Sequence, residues 1–224
     1  MHNHRSFIKP YHDGRRPPRV VSDLPGYYPR VKPTGIYDRF VCLPCERRFG
    51  PWDQYAQHLL EGGETRRERV PDAAGRTIGY SIPVVDYDRL KLFFVSVLWR
   101  ASVCRDPFYR AFSLGEFEAD AGRLILDGDS GLPDEFGMVV EHLISGRRGK
   151  AFISPQRRRV DGVNFVLLYV SAFVAWIKVD RRPMPTTFAE GQLSRGEPLI
   201  VPLRRFEGSP EWYGCARAVK RAYQ

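Results

Sequence analysis

The sequence predicts an α+β protein from three observations. Asp86 to Cys104 is apolar at helical spacing, residues 163–179 are dense in β-branched and aromatic side chains, and these patterns occupy successive parts of the chain. The 224 residues are 43% hydrophobic and 27% charged, enough to bury a core, which excludes collagen-like, disordered and coiled-coil classes.

The elements are expected in this order. Residues 1–39 are rich in Pro, Gly and Arg without an apolar period and read as an extended arm with turns. The arm holds eight basic residues against three acidic, more than half of the net charge of +9. A short helix is expected over 51–60, with Pro51 in its first turn and Trp52, Tyr55 or Ala56, and Leu59 on one side. Glu64 to Gly79 reads as a charged, turn-rich connection.

Asp86 to Cys104 is the strongest helix signal and belongs at the centre of the core, because Leu90, Phe93, Phe94, Val97 and Ala101 form a stripe that Leu92, Val95, Leu98 and Trp99 broaden. Ser113-Leu-Gly-Glu116 reads as a capping box for a second helix through Leu126, and Leu132-Pro133-Asp134-Glu135 as the start of a third reaching Ile144. Ala151 to Ser154 and Val163 to Val179 are expected strands, with a hairpin turn at Asp161-Gly162 and a bend near Ser171-Ala172. Leu199-Ile200-Val201 adds a short edge. The layout is therefore a zinc-knuckle-like ββα element with the basic arm at 1–64, then a central helical core and a C-terminal antiparallel sheet within 80–224.

Phe40-x-Cys42-x2-Cys45-x3-Phe49-x5-Tyr55-x2-His58 matches three ligands and the core aromatics of a two-cysteine, two-histidine zinc finger, so Cys42, Cys45 and His58 are the candidate zinc ligands. The fourth ligand is open among Glu64, His2, His4 and His12, and a redox pair is the other reading of the C-x-x-C spacing. Cys104 reads as core and Cys215 as an ordinary thiol. His142 reads as a cation near a helix C-terminus, and Asp127, Asp129, Asp134 and Glu135 as cap and loop residues.

The run Gly35-Ile-Tyr-Asp-Arg-Phe-Val-Cys42-Leu-Pro-Cys45-Glu46-Arg-Arg-Phe49-Gly-Pro-Trp52-Asp53-Gln-Tyr55-Ala56 resembles the C-x-x-C-E-x-x-F-x-x-W/Y-x-x-Y element of a bacterial family related to HNH endonucleases. Asp86 to Ser102 and Leu126 to Glu135 resemble its helical part. The resemblance spans roughly 35–180. It implies a ββα site in which a histidine activates water and a divalent ion polarises phosphate. His4, in His4-Arg5-Ser6-Phe7-Ile8-Lys9-Pro10, is the nearest match to the family's histidine segment and the catalytic candidate. No second C-x-x-C precedes Cys42, so the resemblance implies a degenerate element that binds nucleic acid, with a role in phage and host defence.

Arg15, Arg16 and Arg19 of the arm and Arg157, Arg158 and Arg159 before the hairpin turn are the candidate nucleic-acid contacts, because a guanidinium donates two bonds to one phosphate. The alternatives are an active metal-dependent endonuclease and an interaction factor whose basic surface meets an acidic protein. The longest apolar stretch, Val163 to Ile177, is 15 residues and carries Asn164 and Ser171, too short for a membrane span. No signal-peptide core opens the chain, and a cytoplasmic setting is expected.

Overall fold

The computed structural model describes residues 19–21, 27, 30–31, 41–62, 65–145 and 151–222. Strands β1 (Arg19–Val21) and β2 (Arg30–Val31) precede helix α1 (Leu43–Glu61). Hairpin β3 (Glu68–Pro71) and β4 (Thr77–Ile82) leads into helices α2 (Tyr87–Val103) and α3 (Phe117–Asp127). Strands β5 (Met138–Ile144), β6 (Ala151–Ile153), β7 (Gln156–Val160), β8 (Val163–Val170), β9 (Phe173–Lys178) and β10 (Leu199–Arg205) follow, and α4 (Pro210–Ala222) comes last. The α+β class is as expected.

Seven strands form one sheet in the order β3-β4-β10-β5-β9-β8-β7, while β1 joins β2 and β6 in a small second sheet. Register sorts the side chains of the large sheet. Met138, Val140 and His142 stand opposite Ile177, Ala175 and Phe173, which in turn face Val166, Leu168 and Val170. That face, extended by Tyr80, Ile82, Leu199 and Val201, forms one core with α1, α2 and α3. On the other face Val139, Phe165, Leu167 and Val174 are buried, and the Trp176 ring meets Phe165 and Phe188.

Helix α2 follows the sequence closely. Asp86 caps it by accepting the Arg89 N–H at 3.1 Å, and its stripe from Leu90 to Ala101 is almost wholly buried. Each large apolar side chain buried there contributes about 1.5–3 kcal/mol. The hairpin turn is also as expected, with Asp161 at φ 48° and Gly162 at φ 81° between β7 and β8, and Ser171 at φ 54° turns β8 into β9.

Five expectations change. The third helix is absent: Leu132 to Phe136 make turns, Phe136 takes a left-handed φ of 51°, and Met138–Ile144 become β5 inside the sheet. The Ser113 box does not cap α3, since Ser113 Oγ accepts from Gly115 N at 3.1 Å and the helix begins at Phe117. Residues 68–82 are a hairpin rather than a connection. Strand β10 is interior, antiparallel to β4 and parallel to β5, so the sheet is mixed. It packs closely on Gly79, where a Cβ would lie 2.9 Å from the Val201 carbonyl oxygen.

Finally, α1 starts at Leu43 and runs through Pro51. Its Phe49, Trp52, Ala56, Leu59 and Leu60 share the core with α2, so the expected units 1–64 and 80–224 pack together where they are described. A buried pair ties the helices, with Arg100 donating to both Asp53 oxygens at 2.8 and 3.2 Å.

Candidate nucleic-acid interface and cysteine pair

Arginines of this protein differ in their partners. Several are neutralised: Arg181 pairs with Asp120, Arg182 with Asp180, Arg195 with Asp88, Arg204 with Glu141 and Glu211, and Arg66 with Glu68. Arg157, Arg158 and Arg159 of β7 meet no carboxylate among the described residues. All three are exposed on the outermost strand of the large sheet. Their bonds go to neutral acceptors: Arg157 to the Ser113 carbonyl, Arg158 to Gln156 Oε1 at 2.6 Å, and Arg159 to the Gly162 carbonyl at 2.9 Å.

Alternation along a strand sends Arg157 and Arg159 to one face and Arg158 to the other, so the edge presents charge on both sides. Asp161 in the adjacent turn accepts from Thr187 Oγ1 at 2.8 Å. Topology brings further basic residues to this end. The strand β6 that leads toward β7 pairs with β1 in parallel, setting Arg19 opposite Ala151 and Arg30 opposite Val20 along the small sheet. Helix α4 lies against β1 and β6 and exposes Arg217 and Lys220. Arg15 and Arg16 lie outside the described residues, as do His2, His4, His12 and Glu64.

Helix α4 is the contributor that sequence reasoning missed. Its signal is Pro210 at the start followed by Trp212, Cys215 and Ala218 at helical spacing, with Arg217 and Lys220 on the other side. Glu211 in its first turn is buried, and burial alone raises a carboxyl. Two bonds from Arg204, at 2.8 and 3.1 Å, outweigh that and hold Glu211 down to about 2. Burial pushes the Cys215 thiol up to about 11.

The metal candidates do not converge. Cys42 occupies the N-cap of α1 and Cys45 its first turn, with the two sulfurs 3.3 Å apart. His58 lies in the last turn, 13 residues on, or about 20 Å along the axis at 1.5 Å per residue. In a finger the cysteines sit on the hairpin and the histidine on the helix. Here β1 and β2 do precede α1, but the cysteines belong to the helix itself, so the finger-like set is not formed. No group of three His, Cys, Asp or Glu suited to a metal occurs among the described residues.

Comparison with protein-family models, curated proteins and solved structures finds no match.

Other candidates are structural. His142 is on β5 rather than on a helix: it stacks on Phe173 with ring centres 4.6 Å apart, lies 3.2 Å from the Tyr80 hydroxyl, and burial lowers its pKa, so the expected helix-end cation is not there. Asp129 accepts from Gly131 N, Asp134 from Lys178 and Met184 N, and Glu135 from Arg123. These carboxylates shape the loop, as expected. Among the described residues no helix is long and apolar enough to cross a membrane.

Proposed function

We propose that the protein binds nucleic acid through the β7 edge, with Arg157, Arg158 and Arg159 as the main phosphate contacts and Arg217, Lys220 and the charge of the basic arm adding to them. The observation that carries this is a run of three consecutive exposed guanidiniums on an edge strand, bonded to neutral acceptors, where Arg181, Arg182 and Arg195 are paired with carboxylates. An exposed pair is already neutralised and gains little from phosphate. A guanidinium bonded only to neutral groups keeps its whole charge for a polyanion, and its fork accepts two phosphate oxygens. The degenerate HNH-like reading assigns the role of binder without cleavage, and places that role in conflict between phage and host.

Fluorescence anisotropy with labelled single- and double-stranded DNA and RNA tests the proposal. Replacing Arg157, Arg158 and Arg159 together with Gln is expected to weaken binding at least tenfold while leaving thermal unfolding within a few degrees. Equal binding by wild type and variant contradicts it. Binding of a purified acidic protein with none to nucleic acid also contradicts it, and assigns the surface to a protein partner.

A further inference from the structure

The cysteine pair has a geometry that does not depend on the β7 proposal. Cys42 and Cys45 are separated by Leu43 and Pro44, and α1 begins between them, which fixes the two sulfurs 3.3 Å apart. Their settings differ. Cys42 is exposed, whereas Cys45 is half-buried and packs against the edge of the core. Neither sulfur is engaged with a third metal-binding side chain among the described residues. A closed structural zinc site takes four ligands. A disulfide takes two sulfurs about 2.05 Å apart, a distance this pair reaches by drawing together by about 1.2 Å.

We propose that Cys42 and Cys45 are a redox-active pair that exchanges with disulfides, Cys42 as the attacking sulfur and Cys45 as the resolving one. The substrate class is a disulfide, low-molecular-weight or within a protein. The Cys42 thiolate attacks one sulfur of R–S–S–R, a mixed disulfide forms at Cys42, and the released thiolate takes a proton. Cys45 then gives up its proton and attacks the Cys42 sulfur, the protein S–S bond forms, and the second R–S⁻ leaves and is protonated. Two electrons and two protons pass from the protein dithiol to the substrate, which ends as two thiols.

The division of roles follows from the surroundings. Cys42 is exposed at the N-cap of α1 and open to an incoming disulfide, whereas Cys45 is half-buried against the core and meets the Cys42 sulfur from within the helix. The exposed sulfur is thus the accessible one.

The test uses the full chain, reduced, desalted and incubated over a range of glutathione to glutathione-disulfide ratios, with tryptic peptides read by mass spectrometry. The expected result is a Cys42–Cys45 disulfide forming within the peptide 40–47 while Cys104 and Cys215 stay reduced. Cys45→Ser should trap one glutathionyl group at residue 42, and Cys42→Ser should abolish the reaction, both variants keeping the wild-type circular dichroism spectrum. A second arm with insulin as the probe separates the substrate sources: reduction of its interchain disulfide marks a protein substrate, and reaction with glutathione disulfide alone marks a small one. The proposal is overturned if the pair stays reduced at every ratio, or if Cys45→Ser traps nothing. It is equally overturned if the purified protein holds zinc whose removal is needed before either thiol reacts.

Discussion

Lys91 is 1% exposed, and its ammonium donates to the Tyr87 hydroxyl at 3.1 Å and to the Leu132 carbonyl at 2.6 Å without bonding a carboxylate. Desolvation lowers it from 10.5 to about 8, against the opposing pull of Glu135, Asp88 and Asp129. Between those values the unfolded chain holds more protons than the folded one, so this residue makes stability rise with pH and contributes its full penalty below about 8. Urea unfolding of wild type and Lys91→Met at pH 7 to 10 should therefore show the wild type gaining on the variant above pH 8. Parallel pH curves would exclude a desolvated Lys91. Arg100 and Asp53 give a second test at this scale, because removing one partner of a buried pair leaves the other charged and unpaired. Asp53→Ala should lower stability by about 3 kcal/mol in urea denaturation, through the loosened contact of α1 with α2.

At the scale of elements, α4 is held to the sheet by Arg204 and Glu211, with the Tyr169 hydroxyl donating to Glu211 at 3.0 Å. The depressed carboxyl of Glu211 contributes stability that is complete above about 4.5 and is lost as pH falls toward about 2. Glu211→Gln should reduce stability by about 2 kcal/mol at pH 7, and the difference from wild type should shrink as acid is added. Thermal unfolding at pH 7 and pH 3 reads both. Which elements were legible in the sequence follows from where they sit. Helix α2 was, because a long apolar stripe and an Asp cap agree on one answer. Strand β5 was not: it is buried on both faces at its start, so Met138, Val139 and Val140 form a run without the period that separates strand from helix. The β3–β4 hairpin hid for the opposite reason, since β3 is an edge with three of its four side chains exposed and two of them charged. The finger-like spacing brings His58 toward the cysteines only if the helix starts near Pro51. With the helix starting at Leu43, the same spacing puts His58 at its far end. The arginine run and its turn were visible, but the absence of carboxylate partners needed the fold.

Across the whole molecule, the net charge of +9 is not spread evenly. The body neutralises many of its arginines, while β7 sets three on one edge strand without carboxylate partners among the described residues, and α4, which lies against β1 and β6, exposes Arg217 and Lys220. That distribution, rather than the total, supports a polyanionic partner. The measurement that tests it most directly is the salt dependence of nucleic-acid affinity for wild type and for the triple Arg157→Gln, Arg158→Gln, Arg159→Gln variant. Each phosphate neutralised contributes about −0.9 to the slope of log K against log salt on duplex and about −0.7 on single strands. The account predicts a slope shallower by about 2 to 3 in the variant. An unchanged slope, with affinity lost or kept, would contradict the assignment of phosphate contacts to β7.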